Sequence, residues 1–446
     1  MHFIVETEDQ LHKIISYKND SIFMEPVWAD DRVHPAINSV SAIYFRNTRG
    51  KRGFLIPIDH TESPGLDLER VMALFLLKVP QISTIDRKVA LYLGLEKSPV
   101  KGLKMAYTLN GESFPELSDF DTTAHLYYQR QLSSKTDVNR YVPLSKIYEK
   151  YENFYKKLKF KDQWFTSRDY EFYNQEVTDV FFNIEKSGMG IDMDRLKTVY
   201  PDMNYNLGIG NGRIYGIYNL FNLTGRPTCA FNGVNFSAIS KKDDRRKMYI
   251  PRNQVLVEFD YQAYQIKLLA DIIGYDFQGE NIHRHMAKLY YNTEDPTEQQ
   301  YADGKLKTFR YLFAHTSDSP DTEFFKEVFE LKDYLWDRYQ QYGYIKSPLS
   351  GRKLTGMDND RQILPYLLQS YETERNVQVL SKIMKYLEDK HTDLIMYSYD
   401  AFLFDLCVDD GKDLVTDIRD LLEEGDYKTK ASFGANYLEL EELFLD

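Results

Sequence analysis

The chain has 446 residues, of which 43% are hydrophobic and 15% aromatic. This composition supports a sizeable core and excludes wholesale disorder, and the length predicts roughly two to four domains. The 68 acidic and 56 basic residues leave a net charge of −12, which argues weakly against nucleic-acid binding unless basic residues gather in a local groove. A basic run does lie at residues 241–252, although a solvated loop explains such a run equally well.

Signals for targeting and for disulfide formation are weak. The two cysteines, Cys229 and Cys407, give neither a disulfide framework nor a zinc site. The N-terminus lacks the basic and apolar regions of a signal peptide, and the longest purely apolar run, residues 71–77, is far shorter than the roughly 20 residues that span a bilayer. We therefore expect a soluble, cytoplasmic protein without a membrane partner.

The N-terminal part of the chain reads as mixed α/β. Short β-rich runs bounded by turn residues predict strands at residues 3–5, 21–24, 41–45 and 53–58. Residues 68–77 predict a buried helix, and helical spacing of aromatic residues continues through 140–190.

A different pattern begins after residue 210. Residues 254–260 predict a strand that ends on Asp260, and the helix Tyr264–Ile273 follows at once. Residues 394–406 predict a hairpin with Asp400 at its turn. Further helices are predicted at 305–315, 321–342 and 374–389.

Asp260 and Asp400 are the residues that first suggest chemistry. Each ends a strand inside an apolar frame. Neighbouring carboxylates repel one another and attract divalent metal ions, which can drive an in-line phosphoryl displacement. A strand-end aspartate taken alone more often caps a helix or closes a turn, so this interpretation depends on the surrounding motifs.

Those motifs resemble the ones of family A DNA polymerases. Residues 260–270, Asp-Tyr-Gln-Ala-Tyr-Gln-Ile-Lys-Leu-Leu-Ala, resemble motif A with the same separation of its aspartate and final alanine. Residues 305–314 resemble motif B, and Asp400 stands where motif C has the aspartate of His-Asp-Glu. Other matching segments, in the family's order, are 224–226 (Thr-Gly-Arg), 235–239, 280–287, 343–353 and 367–370 (Leu-Leu-Gln-Ser). The ordered set is similar to compact bacteriophage-type members.

The resemblance implies an α+β fold with two parts. An exonuclease-like α/β domain covers residues 1–175, and a right-hand polymerase domain covers residues 176–446. The implied subdivision of the polymerase domain is a vestigial thumb at 190–222, a palm at 223–280 and 345–446, and fingers at 281–344. Only about thirty residues occupy the thumb position, so we expect low processivity without a partner.

The N-terminal domain resembles the family's 3′–5′ exonuclease less closely. Phe120-Asp121-Thr122 is like its Phe-Asp-Thr segment. The family's first acidic pair would fall on residues 23–26, where Glu25 is the single acid. Two-metal hydrolysis needs several carboxylates, so we expect a degenerate, inactive exonuclease.

The resemblance also assigns roles to individual residues. Asp260 and Asp400, with the backbone carbonyl of Tyr261, would bind two Mg²⁺ ions, for which Mn²⁺ can substitute, and Lys305 would complete the catalytic set by facing the triphosphate. The implied nucleotide-binding residues are Tyr261, Gln265, His283, Phe309 and Phe313. The implied DNA-binding residues are Arg226, Asn235, Arg246, Arg352 and Gln369. The implied partners are primer–template DNA, dNTPs and a processivity or replisome protein, in the cytoplasm of a bacterial host.

Some positions depart from the family's pattern. Gln265 replaces the glutamate at the sugar-discriminating position, where it should still exclude a 2′-hydroxyl by bulk. Tyr301 replaces a phosphate-binding arginine, and Ala401 replaces the third carboxylate of motif C. Lys305, Phe309 and Phe313 share the i, i+4, i+8 spacing of one helix face, which suits either a nucleotide-binding face or a buried core face.

Three interpretations therefore remain open. The favoured one is a template-directed DNA polymerase that uses a two-metal mechanism. The second is a catalytically impaired nucleic-acid-binding scaffold with a polymerase fold, which the losses at Tyr301 and Ala401 support. The third is a metal-dependent nuclease that uses Glu25, Glu96 and Asp121.

Overall fold

A computed structural model describes residues 3–15, 21–31, 33–117, 138–199, 201, 208–229, 235, 239–313 and 320–445. The chain divides into two compact units. Within the described residues, the first unit draws on 1–188, 196–218 and 229–235, and the second on 189–195, 219–228 and 236–446. The main division falls after Gly188, further along the chain than the sequence-based boundary at 175. The roles implied for the two regions stay predictions.

A five-stranded mixed sheet organises the first unit. Its strands are β1 (Ile22–Trp28), β2 (Val40–Asn47), β3 (Phe54–Pro57), β4 (Ile82–Thr84) and β5 (Val100–Gly102), which lie side by side in the order β3-β2-β1-β4-β5. The first three strands pair antiparallel, whereas β4 pairs parallel with β1 and with β5. Alternate residues of β1 enter different cores: Met24 packs in one apolar cluster and Phe23 in another, so both faces of the sheet are covered.

Several helices complete the described part of the first unit. They are α1 (Glu8–Ile15), α2 (Leu68–Lys78), α3 (Arg87–Tyr92), α4 (Leu103–Leu109), α5 (Leu144–Tyr155), α6 (Arg168–Phe172) and α7 (Thr178–Ser187). A single π-helical turn, Tyr173–Val177, joins α6 to α7. α7 ends at Gly188, whose φ of +61° suits a glycine. In the part of the chain that the structure describes, no helix is both long and apolar enough to cross a membrane.

Short elements follow α7. They are β6 (Met189–Ile191), α8 (Met193–Val199), β7 (Ile209–Gly210), β8 (Arg213–Ile214), β9 (Tyr218–Asn219), β10 (Thr228–Cys229) and β11 (Tyr249–Ile250). β7 pairs antiparallel with β8, and β11 pairs antiparallel with β6. Among the described residues of the predicted thumb, 190–222, α8 is the one helix and has 7 residues.

An antiparallel sheet forms the base of the second unit. Its strands are β12 (Val255–Tyr261), β15 (Asp393–Ser398), β16 (Ala401–Leu406), β17 (Thr429–Gly434) and β18 (Glu441–Leu443), in the order β15-β16-β12-β17-β18. The intervening hairpin has strands β13 (Ile345–Lys346) and β14 (Lys353–Leu354). The helices are α9 (Tyr264–Ile273), α10 (Ile282–Tyr291), α11 (Glu298–Phe313), α12 (Glu323–Tyr342), α13 (Ile363–Tyr386) and α14 (Leu414–Leu422).

Most predicted elements are present, and four need correction. The helix predicted at 305–315 begins seven residues earlier, at Glu298. Residues 3–5 do not form the predicted strand; instead, Ile4 makes an isolated β-bridge to Leu55. The helix at 68–77 is only partly buried, with Leu77 81% exposed. The helix predicted at 374–389 begins eleven residues earlier, at Ile363. Polar residues before position 374, which suggested a loop, belong to this helix and pack inside the protein.

Candidate active site

The two aspartates lie side by side at one end of the antiparallel sheet. Asp260, on β12, stands opposite Ala401 on β16. Asp400 occupies the turn between β15 and β16, and its carbonyl oxygen accepts a hydrogen bond of 2.9 Å from the Tyr261 amide. The sheet register therefore brings together two carboxylates that are 140 residues apart in the sequence.

The turn at Asp400 is held in an uncommon conformation. Tyr399 has a φ of +63°, a region that a bulky side chain seldom adopts and that costs of order 1 kcal/mol or more. The Asn376 amide donates a hydrogen bond of 2.8 Å to the Tyr399 carbonyl. The guanidinium of Arg226 lies 3.7 Å from the centre of the Tyr399 ring, a cation–π contact. These contacts offset the strain and fix the position of Asp400.

Electrostatics at this end of the sheet favour a bound cation. Burial, and then the charge of Asp260, raise the pKa of Asp400, as expected for neighbouring carboxylates. The ammonium of Lys241 lies 3.4 Å from Asp260 Oδ2, so its positive charge already offsets part of the negative charge of the two aspartates. The described residues hold no cluster of three or more His, Cys, Asp or Glu with metal-binding geometry. A divalent ion here would complete its shell with the backbone, water or substrate oxygens.

A cavity of about 950 Å³ opens over the two aspartates. Besides Asp260 and Asp400, it is lined by the predicted site residues Tyr261, Gln265, His283, Lys305 and Phe309. Its wall also includes Tyr301 and, just after the last strand, the exposed Phe444. The structure thus gathers the predicted catalytic set and most of the predicted nucleotide-binding set around one space.

Helix α11 presents two distinct faces. Gly304, Thr308 and Leu312 are its buried residues, and a Cβ at Gly304 would come within 3.0 Å of Ala287 Cβ. The rings of Phe309 and Phe313 are half-buried and stack with centres 6.2 Å apart. The core face is therefore distinct from the Lys305–Phe309–Phe313 face, although Phe313 itself does not line the cavity.

His283 is a buried, neutral group in the cavity wall. Burial, and then the charge of Lys305, lower its pKa to about 4. Its Nδ1 atom is buried and has no hydrogen-bond partner among the described residues. The ring packs against Tyr301 and Phe309, with centres 6.1 and 6.2 Å away. At neutral pH the imidazole can donate or accept a hydrogen bond but adds no positive charge.

The predicted DNA-binding residues separate into two groups. Arg226 pairs with Glu372 at 3.1 Å and lies beside the Asp400 turn. Gln369 accepts a hydrogen bond of 3.2 Å from Thr224, which belongs to the loop that also carries Arg226. Arg352 is 2% exposed and donates to the carbonyls of Asn222 and Leu223. It supports the loop that carries Arg226 instead of presenting its charge to solvent.

The remaining two members do not line this cavity. Asn235 is exposed and belongs to the first unit. Arg246 is buried, donates to the Ile239 carbonyl at 2.9 Å, and stacks on the Tyr437 ring at 4.0 Å. The rest of the basic run is largely paired with acids, as in the contacts of Lys247 with Glu439 and of Arg252 with Asp393. The run does not form the local basic groove that its sequence suggested.

Two of the three acids proposed for a nuclease are described, and they have different environments. Glu25 is buried on β1, accepts the Ile85 amide proton, and has a pKa raised well above its usual value by burial. Glu96 is exposed and pairs with Lys186 at 3.7 Å. Asp121, with the whole 120–122 segment, lies outside the described residues.

Sequence reasoning missed Glu372 as a member of this site. It accepts a hydrogen bond of 3.1 Å from Gln265 Nε2 as well as pairing with Arg226. Its one sequence signal is its position three residues after Gln369, which places both on α13. Lys241 was noted within the basic run, but nothing in the sequence indicates its contact with Asp260.

Comparison with protein-family models and with curated proteins finds no match. Among solved structures, the chain is similar to one described as the POL domain of Pol1 from M. smegmatis in complex with DNA primer-template and dNTP. The TM-score is 0.67 at 14% identity, and the alignment covers 97% of this chain and 99% of that chain. The chain therefore has the mixed α/β fold of a DNA polymerase domain, which confirms the predicted fold class.

Proposed function

We propose that the protein is a template-directed DNA polymerase that adds dNTPs to a primer 3′-hydroxyl. The observation that carries this proposal is the juxtaposition of Asp260 and Asp400 beneath a cavity walled by Gln265, Lys305 and Phe309. The similarity to a polymerase domain solved with primer-template and dNTP supports it. Within that class, the motifs favour a compact family A enzyme of the bacteriophage type.

In such a reaction, different residues of the chain would bind different parts of the substrates. Lys305 places a positive charge in the cavity, where it can neutralise a triphosphate. Phe309 offers a ring for packing against a sugar or base, and the neutral His283 offers a hydrogen bond to a phosphate oxygen. Arg226, fixed beside the Asp400 turn by Glu372, is placed to contact the primer end.

Asp260, Asp400 and the Tyr261 carbonyl would hold two Mg²⁺ ions, or Mn²⁺ in their place. The fit rests on the adjacent carboxylates and on the raised pKa of Asp400. Bound there, the ions would activate the 3′-hydroxyl and stabilise the leaving pyrophosphate. Mn²⁺ binding followed by electron paramagnetic resonance should weaken at least tenfold in Asp260→Asn.

Primer extension on a defined template tests the proposal. Wild type with dNTPs and Mg²⁺ should extend the primer in template order, and Asp400→Asn should lose at least a hundredfold in rate. Asp409→Asn is the matched control, because it makes the same change at an exposed position just beyond the same hairpin. Equal extension by wild type and Asp400→Asn would show that another site carries the activity.

A catalytically impaired scaffold is the second candidate. The observation that favours it is Tyr301, a neutral side chain in the cavity wall where the resembling family has an arginine. The cations nearby do not replace that charge: Arg284 pairs with Asp295 and Lys307 with Asp303. A folded wild type that binds primer–template but extends nothing with Mg²⁺ or Mn²⁺ would establish this alternative.

We also propose that the first unit contains a degenerate exonuclease domain. Glu25 supports this, because it is buried and bonded to the Ile85 amide, which leaves it poorly placed to bind a metal ion. A 5′-labelled primer should therefore remain intact with Mg²⁺ or Mn²⁺ in the absence of dNTPs. Shortening that persists in Asp400→Asn would instead support the nuclease interpretation.

A further inference from the structure

Glu372 is a buried acid whose two partners both belong to the candidate active site. It lies on α13 and is 1% exposed. One of its oxygens accepts a hydrogen bond of 3.1 Å from Gln265 Nε2, and the other lies 3.1 Å from Arg226 Nη2. The three residues come from α9, α13 and the loop between β9 and β10, so a single carboxylate ties three segments together.

Burial of this carboxylate carries a cost. Desolvation raises its pKa, and the charge of Arg226 opposes that rise. Buried ion pairs are often no better for stability than apolar residues of the same size. Glu372 is therefore poorly explained by stability alone, whereas the placement of its partners gives it a role.

The hydrogen bond to Glu372 fixes the orientation of Gln265. Gln265 is half-buried and lines the same cavity as Phe309 and Asp260. Its amide is planar, so a bond at the nitrogen sets the direction of the amide oxygen. Without that bond the side chain could rotate away and leave room for an additional hydroxyl group.

A second observation shows that this cluster is incomplete by itself. Arg226 Nε is buried and makes no hydrogen bond to any described residue, whereas Glu372 Oε1 is held by its ion pair with Arg226. Buried polar atoms are usually paired, so Arg226 Nε is left for a ligand or an ordered water in the assembled site.

We propose that Glu372 is a positioning residue that locks Gln265 across the cavity and thereby sets the preference for deoxyribonucleotides over ribonucleotides. This inference rests on the proposed polymerase function. Glu372 does not touch the reacting atoms in this scheme; it acts through Gln265, and its pairing with Arg226 holds the same cluster against the Asp400 turn.

The test measures kcat/KM for dCTP and for CTP opposite the same template guanine. Both partners of Glu372 are donors, so the single side-chain oxygen in Glu372→Gln should stay with the charged Arg226 and turn the amide NH2 toward Gln265 Nε2, which breaks the bond to Gln265. This variant should lower the dCTP-to-CTP ratio about tenfold, mainly through better CTP use. The double variant Gln265→Glu/Glu372→Gln exchanges acceptor and donor, so it should restore most of the ratio by re-forming the bond. A general structural defect would not respond to that exchange.

Glu374→Gln is the matched control. Glu374 is a buried acid on the same helix, but it binds Ser347 and Ser350, so its loss should lower stability without changing the ratio. A ratio unchanged in Glu372→Gln would overturn the positioning role while leaving the polymerase proposal intact. A wild type that extends no primer with dCTP would overturn both, which keeps the two failures distinct.

Discussion

At the scale of single residues, environment rather than residue type decides what each group can do. Asp260 and Asp400 are both strand-end aspartates, yet only their adjacency gives them a shared electrostatic field. Arg226 and Arg246 both looked like contacts for nucleic acid. One lies beside the Asp400 turn, whereas the other is bound to the Ile239 carbonyl and the Tyr437 ring.

Replacement of Tyr301 by arginine should strengthen nucleotide binding. Tyr301 lines the same cavity as Lys305, and a second cation there would attract a triphosphate. We expect Tyr301→Arg to lower the KM for dNTPs about fivefold in steady-state primer extension. Tyr301→Gln, which removes the ring but adds no charge, should not lower it. A higher KM in both variants would show that the ring itself is needed.

His34 should make the first unit sensitive to mild acid. Its Nδ1 accepts the Ala36 amide proton and its Nε2 lies 3.2 Å from the Gly216 carbonyl, so the neutral ring suits both partners. Burial lowers its pKa to about 4. Because the folded-state pKa lies below the unfolded value of about 6.5, stability is full above pH 6.5 and declines as the pH falls toward 4.

The measurement is urea unfolding of wild type and His34→Gln at pH 7 and pH 5. Between these two values, wild type should lose about 2 kcal/mol more of its unfolding free energy than the variant does. Comparing the two proteins cancels the contributions of other titrating groups. Equal losses would show that His34 does not control this response.

At the scale of elements, buried polar contacts fix how neighbouring helices are placed. α3 and α7 are joined by Lys88 and Glu185, whose charged atoms are 2.7 Å apart and are 6% and 1% exposed. Lys88 also donates to the Tyr218 carbonyl, and Glu185 accepts from the Tyr218 amide. This network connects both helices to the segment at 218.

Removal of one partner of that pair should be costly. Lys88→Met leaves a buried carboxylate without its cation, which typically costs about 3–5 kcal/mol. Adding Glu185→Gln should recover part of the loss, because a neutral amide can still accept from the Tyr218 amide. Urea unfolding can follow this in a Trp336→Phe background, where Trp28 and Trp164 report the first unit. Additive losses in the double variant would contradict the coupling.

At the scale of the whole molecule, the short region that the sequence predicts as a thumb has a kinetic consequence for the proposed polymerase. Between residues 190 and 222 the described part contains α8, of 7 residues, and short strands. Affinity for duplex DNA depends on the number of phosphate contacts, and a region of this size offers few. We therefore expect the isolated protein to release its product often and to depend on a partner for long synthesis.

Primer extension in the presence of excess trap DNA measures this property. Products from a single binding event should be tens of nucleotides long or shorter, and their length should decrease further as salt weakens the phosphate contacts. Addition of hundreds of nucleotides per event by the protein alone would refute the prediction.

Local sequence determined much of the fold. The alternation in β12, the glycine after α7 and the spacing of Lys305, Phe309 and Phe313 were sufficient because each depends on backbone geometry over a few residues. The start of α13 was missed because Ser370, Glu372 and Thr373 are polar yet buried. Hydropathy alone assigns such residues to a surface or loop, since their partners lie far away in the sequence.

The candidate site likewise combines features that local sequence predicts with features that depend on contacts between distant segments. The sequence by itself predicted which residues would carry the proposed chemistry, because the motifs at Asp260, Lys305 and Asp400 are short and ordered. The tertiary structure decided which residues meet: the register of β12 with β16, the contact of Glu372 with Gln265 and Arg226, and the withdrawal of Arg246 and Arg352 from solvent. These are contacts between distant segments, and their geometry depends on how the sheet and helices pack.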